Sequence, residues 1–259
     1  MRRMRETRRR VGENVLLAGF LVIVLSVWEL AGRGNPRVLS YPSQIATSAW
    51  ELIVVENKVL PALLATVEGL AYGFVIAAVL GIVVGFAMGR IRLVELVLYP
   101  YAIALYATPR IALVPLLVLW FGIDLELRVV VVVLSAVFPI MINTYNGARQ
   151  VDPAYLDAAA AFAATPWQTL RTVVMPASVP YVFAGLRVGM VRALVGVVVA
   201  EMTASVVGTG RLIIELGAFF QTGRLLVPVM VLGVLGVVLS VGMAKAQTLA
   251  APWAMREGR

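Results

Sequence analysis

Four charged residues of this 259-residue chain lie inside or at the edge of long apolar stretches: Glu68, Arg110, Arg187 and Glu201. A charge at the centre of a membrane helix costs about 2.5 to 3.5 kcal/mol on insertion scales, so each side chain is expected to face a cavity, water or a partner. Arg110 follows Pro109, which removes a donor from the helical ladder. The arginine is therefore a candidate to bind an anion at mid-membrane, and a structural ion pair with Glu68 or Glu201 is the alternative.

The other three charged residues give weaker grounds for predicting a role in solute transport. Glu68 and Arg187 lie near the ends of their stretches, where a long side chain can reach the membrane surface. Glu201 lies deeper. It is fourteen positions from Arg187, about 21 Å along the helix, which is too far for a pair within that helix. Glu201 therefore needs a partner on another helix, water or a proton, in a structural role or along a solute path.

Enzymatic chemistry has few residues to work with. The chain has no cysteine and no histidine, which excludes disulfides, thiolate or imidazole metal sites and the Ser-His-Asp triad. No Gly-x-x-x-x-Gly-Lys-Ser/Thr loop occurs, and the two lysines, Lys58 and Lys245, lack the flanking glycines. Sequence motifs of intramembrane hydrolases are also missing. We therefore predict no catalytic residue and no cofactor in this chain.

Composition places the chain in a lipid bilayer. Hydrophobic residues make up 61% and charged residues 14%, with a mean hydropathy of +0.93. A membrane helix needs about 20 apolar residues. The sequence predicts a single transmembrane domain over residues 1–259, all α-helical, with about six crossings. The six apolar runs cover residues 15–30, 60–88, 93–121, 129–142, 181–207 and 225–244.

Two features predict how these helices bend and pack. The third run contains Pro100, Pro109 and Pro115, so its backbone is expected to kink or break. Small residues recur every four positions in two runs, which predicts smooth helix faces that admit a close neighbour. These small residues are Gly69, Gly73, Ala77, Gly81, Gly85 and Gly89 in the second run, and Gly185, Gly189 and Ala193 in the fifth.

The distribution of positive charge predicts the orientation. A net charge of +8 is also typical of nucleic-acid binders, but six arginines fall in the first ten residues, before an apolar run. With six crossings, thirteen Lys and Arg residues lie on one side, six on the other and three in membrane segments. The positive-inside rule therefore predicts cytoplasmic termini, a basic cytoplasmic segment at 1–13 and an uncleaved first helix.

A polar, alanine-rich stretch at 143–180 is predicted to be a cytoplasmic loop with two short helices. Asp152 followed by Pro153 is typical of a helix start. Thr165 and Gln168 form a second start, a capping box. We expect a helix-turn-helix outside the bilayer, whose small Ala158-Ala159 face admits a partner surface. An ordinary capped helix with no partner is the alternative.

This loop resembles a motif of the permeases of binding-protein-dependent ABC importers. In that family Glu-Ala-Ala is followed after three residues by Gly, after nine more by Ile, and after one more by Leu-Pro. The corresponding residues here are Asp157, Ala158, Ala159, Ala163, Val173, Met175 and Pro176. Ala163 stands where the family has glycine, and alanine disfavours a positive φ, so the first helix is expected to run on.

Further segments resemble the nitrate, sulfonate, taurine and bicarbonate branch of these permeases; they cover residues 114–123, 138–140, 174–177, 184–187 and 199–202. The resemblance implies a MetI-like permease fold in the bacterial cytoplasmic (inner) membrane and transport of a small anion. It also implies a coupling loop at 143–180. The intramembrane charges Arg110, Glu201, Glu68 and Arg187 are, on the cost argument above, the candidates for the translocation path.

The implied partners are a second copy of the permease, two ATP-binding subunits that hold ATP and Mg, and a periplasmic or lipid-anchored solute-binding protein. Membrane lipid is a further partner, and nucleic acid is not. The alternative is a secondary transporter or channel not coupled to ATP. Such a protein does not need the loop motif, and the two halves of the chain show no repeat.

Overall fold

The computed structural model describes the backbone of residues 2–34 and 39–252, and the side chains of residues 16, 19–34 and 39–252. Within these ranges the chain is helical and has no β-strand, so the predicted all-α class is confirmed. The helices are α1 (Arg2–Gly34), α2 (Pro42–Trp50), α3 (Val59–Arg90), α4 (Arg92–Ala107), α5 (Val114–Phe121), α6 (Leu125–Arg149), α7 (Pro153–Ala161), α8 (Pro166–Thr169), α9 (Met175–Ala204), α10 (Thr209–Ala218) and α11 (Thr222–Ala250).

Four helical stretches in the described part of the chain are long and apolar enough to cross a membrane: Val59–Arg90, Leu125–Arg149, Pro166–Ala204 and Thr222–Ala250. A fifth crossing is available if α4 and Arg110–Phe121 form one broken span, bent by 87°. This bend falls at Pro109, so the predicted break of the third run is confirmed. The remaining predicted crossing is the first apolar run, at 15–30. It belongs to α1, and some of its side chains lie outside the described residues.

The loop predicted at 143–180 is shorter in the structure. Residues 143–149 complete α6 and residues 175–180 begin α9. The helix α6 continues past its apolar run because Thr144 and Ala148 are buried against glycines of α3. Packing against α3 therefore keeps residues 143–149 helical, although this part of the sequence is polar.

The chain divides into two compact units, Met1–Leu60 with Leu212–Met230 and Pro61–Arg211 with Val231–Arg259. In the first unit the Glu29 carboxylate accepts hydrogen bonds from the Ser43 N–H (3.0 Å) and hydroxyl (2.7 Å) at the start of α2. Glu56 forms ion pairs with Lys58, at 2.8 Å, and with Arg224. Hydrogen bonds from Lys58 and Arg224 hold the pKa of Glu56 below its usual value.

The second unit contains α6 between α3 and α9, and the small residues of α3 lie directly on α6. A Cβ atom at Gly73 would stand 2.5 Å from the Val132 Cβ, and one at Gly89 would stand 2.5 Å from the Ala148 Cβ. Glycines 69, 81 and 85 meet α6 in the same register, and Ala77 is fully buried. The predicted packing face of α3 is confirmed, and α6 is its partner.

The small residues of α9 lie against the same helix. A Cβ at Gly185 would stand 2.9 Å from the Asn143 Cβ, and one at Gly189 would stand 2.8 Å from Ile140 Cγ1. Ala193 has no exposed surface. The second predicted packing face is also confirmed, and α6 is in close contact on two sides.

We expect Gly73→Ala to destabilise the protein, because the added Cβ would meet both Val132 and the Val129 carbonyl oxygen, 2.8 Å away. Overpacking of this kind costs about 1 to 3 kcal/mol. The measurement is thermal unfolding of the purified protein. Gly233→Ala is the matched control, since nothing lies within 4 Å of a Cβ at that position; equal melting temperatures for the two variants would contradict the tight contact.

Candidate functional site

The loop between α6 and α9 begins with the two predicted caps. The Asp152 carboxylate accepts a hydrogen bond from the Ala154 N–H at 2.8 Å, with Pro153 as the first residue of α7. The Thr165 hydroxyl accepts from the Gln168 N–H (3.3 Å), and the Gln168 side chain accepts from the Thr165 N–H (2.7 Å). Both predicted helix starts are confirmed.

The second helix of the loop is not separate, and the predicted helix-turn-helix is wrong in this respect. α8 continues through a π-helical turn, Leu170–Val174, into α9, so that Pro166–Ala204 forms one stretch of 39 residues. The wide turn lets the Met175 N–H bond to the Leu170 carbonyl, five residues back. Pro176 directly follows this turn and, having no N–H, donates no hydrogen bond back to it.

The first helix of the loop ends at a left-handed residue. Ala163 has φ +52°, and α7 ends at Ala161, so the expectation of a longer helix is wrong. The Ala164 N–H bonds to the Ala159 carbonyl (3.0 Å) and the Ala163 N–H to the Ala160 carbonyl (2.9 Å). This is a Schellman motif with alanine where glycine is usual. Its hydrogen bonds hold the turn against a cost of about 1 to 2 kcal/mol for the Cβ.

Four of the seven motif residues meet at one groove. Ala158 and Ala159 from α7, with Val173 and Pro176 from the following stretch, line a space of about 770 Å³. Asp157 is exposed beside it, Ala163 forms the turn and Met175 is exposed outside it. The groove is open and bordered by the largely exposed Tyr155 and Phe162 rings.

Arg110 lies where the broken span turns. Its guanidinium donates to the carbonyl oxygens of Tyr106 (2.7 Å), Leu134 (2.9 Å) and Ser135 (3.2 Å). Two of these acceptors lack a helical donor: Tyr106 lies in the last turn of α4, and the residue four after Ser135 is Pro139. Among the described residues no carboxylate is within ion-pair distance of Arg110, so its charge is not neutralised by a neighbouring acid.

Glu201 is buried in the last turn of α9, closer to the helix end than the sequence indicated. One carboxylate oxygen accepts hydrogen bonds from the Thr66 hydroxyl and the Gly210 N–H, both at 2.9 Å, and the other lies 3.9 Å from Arg128 Nη1. Gly208, at φ +108°, passes so close that a Cβ there would collide with the carboxylate. Glu201 thus connects α3, α6, α9 and the start of α10.

The remaining two candidates lie elsewhere. Glu68 is exposed on α3, and Arg187 is exposed on α9, where it donates to the Gln247 side chain at 2.9 Å. The four intramembrane charges therefore do not form one cluster. No group of three or more His, Cys, Asp or Glu that could hold a metal ion occurs in the part of the chain the structure describes.

Sequence reasoning missed Arg128. Arg128 belongs to the short polar turn at 122–128 and is one of the six Lys and Arg residues that the predicted topology counts outside the membrane. The structure instead places it in the first turn of α6 with 4% of its surface exposed. Its guanidinium donates to the Ala65 carbonyl and faces Glu201. The signal available in the sequence was Gly69, because a packing glycine at the same level leaves room for a large side chain opposite.

Comparison with known proteins supports the resemblance of the loop. Residues 77–254 match the family described as binding-protein-dependent transport system inner membrane component. A Bacillus subtilis protein named as an aliphatic sulfonates transport permease is 31% identical over 83% of this chain and 78% of its own length. The Escherichia coli taurine transport system permease is 27% identical over 92% and 89%. The fold matches a chain of the MetNI methionine ABC transporter in inward-facing conformations, with a TM-score of 0.62, 17% identity and coverage of 77% of this chain and 97% of that one.

We expect Ala163→Gly to stabilise the loop by about 1 kcal/mol, because glycine removes the Cβ penalty at the positive φ. Slower hydrogen exchange of the Ala163 and Ala164 amides would show the effect. Ala160→Gly, inside α7, is the matched control and should speed exchange, since glycine in a helix interior costs about 1 kcal/mol. Faster exchange in Ala163→Gly would mean that the left-handed turn is not formed.

Proposed function

Because the chain belongs to the binding-protein-dependent transport system inner membrane component family, and so is a permease subunit of an ABC importer, we propose that it couples passage of a small anionic solute to ATP hydrolysis in separate subunits. The partners of this proposal are a second copy of the permease, two ATP-binding subunits that hold ATP and Mg, and a periplasmic or lipid-anchored solute-binding protein. The chain itself supplies no catalytic residue.

The single observation that carries the coupling part is the groove at the loop. Ala158, Ala159, Val173 and Pro176 line it, and their small side chains leave it open. An ATP-binding subunit docks there, with Asp157 on the exposed side of α7 available to a basic residue of that subunit. Since α8 continues into α9, a displacement of the docked loop moves a crossing helix directly.

The anionic solute is supported by the charge of Arg110. Carbonyl oxygens fix its guanidinium at the break of a span without cancelling its charge. Two of the similar permeases are named for aliphatic sulfonates and taurine, molecules with a negatively charged sulfonate group. We propose three further polar positions along or beside the path: Glu201, Glu68 and Arg187. Among these, Glu201 is buried and accepts hydrogen bonds from Thr66 and Gly210.

The proposed orientation places the α6–α9 loop and both termini in the cytoplasm of a bacterium, as the charge distribution predicts.

The chain has no cysteine, so a single introduced cysteine can be labelled without background from native thiols. Val206→Cys, in the exposed segment between α9 and α10, should react with an impermeant maleimide on intact spheroplasts. Gln168→Cys should react only after permeabilisation, and the reverse pattern would overturn the orientation.

We expect Ala159→Trp to uncouple the transporter, because a large side chain would fill the groove and separate the docked surfaces. A wedge of this kind costs about 1 to 3 kcal/mol in packed contacts, which corresponds to roughly five- to 150-fold weaker association. The measurements are co-purification with the ATP-binding subunits and ATP hydrolysis stimulated by the solute-binding protein in liposomes.

Ala250→Trp, at an exposed position near the end of α11, is the control for side-chain bulk. It should assemble and hydrolyse ATP as the wild type does. If Ala159→Trp also assembles and responds normally, this loop is not the coupling site, and the case for ATP-driven import loses its main support.

We expect Arg110→Gln to reduce uptake about tenfold or more, since one charge-assisted hydrogen bond is worth about 1.5 to 3 kcal/mol. Arg110→Lys keeps the charge but makes fewer carbonyl contacts. It therefore separates the attraction of an anion by the charge from the holding of the bend by the hydrogen bonds. If charge matters, Lys retains more uptake than Gln while both assemble with the ATP-binding subunits. If both variants lose uptake and melting temperature to the same extent, Arg110 serves only to hold the bend.

A further inference from the structure

A second groove lies next to the coupling loop, in the unit that contains α6. It has a volume of about 570 Å³. Ile82 and Phe86 of α3 form one wall, and Trp167, Arg171, Val179 and Phe183 of the α8–α9 stretch form the other. Apart from Arg171, these side chains are apolar or aromatic.

The side chains along the α8–α9 wall change from polar to apolar in chain order. Trp167, Arg171, Val179 and Phe183 recur at multiples of four positions, and all four line the same groove. The aromatic and the charged residue come first, and the apolar residues follow. Arg171 and Phe183 are twelve positions apart, which corresponds to about 18 Å of helix, close to the ~15 Å of hydrocarbon in one leaflet. A groove of this length matches the depth of one leaflet, from the headgroups to the bilayer centre.

The wall from α3 shows the same order. Arg90 follows Ile82 and Phe86 at four-residue spacing, at the end of the helix. Arg90 and Arg171 are both exposed, and within the described residues neither has a carboxylate at ion-pair distance. Arg171 lines the groove, and Arg90 lies one helical turn beyond Phe86, outside the residues that line it.

We propose that this groove binds one anionic phospholipid of the cytoplasmic leaflet. The phosphate lies at Arg171, with Arg90 adding positive potential. The Trp167 ring lies at the interface, where tryptophan is enriched in membrane proteins. One acyl chain fills the space between Phe86 and Phe183. Basic pockets between membrane helices on the cytoplasmic side bind anionic headgroups in this way.

Charge argues against the basic amino-terminal segment of a second copy as the occupant. Six arginines occur in its first ten residues, and they would meet the like charge of Arg171 and Arg90. A lipid phosphate brings the opposite charge, and its acyl chain matches the apolar walls.

The site also adjoins the coupling loop. Pro176 lines both grooves, and the π-helical turn Leu170–Val174 separates Trp167 from the apolar part. A bound lipid therefore supports the α8–α9 stretch from the membrane side, behind the surface proposed for the ATP-binding subunit.

The test measures lipid binding by the full-length permease, purified alone and together with its ATP-binding subunits, delipidated, and titrated with phosphatidylglycerol or phosphatidylcholine in native mass spectrometry. We expect one phosphatidylglycerol per chain, bound about fivefold or more tightly than phosphatidylcholine. Arg171→Gln should remove this preference. Val179→Trp, which fills the groove but keeps the charge, should weaken the binding of both lipids, with its melting temperature checked for folding.

Lys245→Gln, which removes an exposed charge on α11 outside the groove, should bind lipid as the wild type does. Equal binding of both lipids to the wild type, or wild-type binding in both groove variants, would overturn the proposal. Phosphatidylglycerol with a photoreactive acyl chain should label residues near 86 and 183. If Val179→Cys instead forms disulfide-linked dimers and excludes the photoreactive lipid, a second copy occupies the groove and the lipid assignment is wrong.

Discussion

The close approach of α3 and α9 to α6 is the contact on which the rest of the second unit depends. In a bilayer apolar surface gains little by leaving lipid, so helices associate through tight packing and hydrogen bonds. The glycines of α3 and α9 let side chains of α6 approach their backbones. This packing buries Arg128 and Glu201 at one end of α6, and at the other end it extends α6 to the start of the candidate coupling loop.

Features set by local rules could be predicted from the sequence. The small-residue faces, the caps at Asp152 and Thr165 and the break at Pro109 each follow from a few residues and their spacing. The all-helical class follows from composition. In each case the local preference and the tertiary structure agree, which is why a pattern of residues was sufficient.

Other features depend on contacts that no local pattern specifies. Alanine disfavours a positive φ, so the turn at Ala163 contradicts its own residue type, and its hydrogen bonds to α7 hold it in place. The capping box at Thr165 looked like the start of an isolated helix, but a π-helical turn joins it to α9. Arg128 looked like a loop charge because only the folded chain shows that Glu201 faces it.

The continuous stretch Pro166–Ala204 has a mechanical consequence. Its 39 residues correspond to about 58 Å of helix, longer than the bilayer is thick. In a rod of this length, a tilt of about 5° about the α8 end corresponds to a shift of roughly 5 Å at the Glu201 end. The far end carries Glu201, which is bonded to neighbouring segments through Thr66 and Gly210. A small tilt at the α8 end therefore corresponds to a larger displacement at the polar contacts of Glu201.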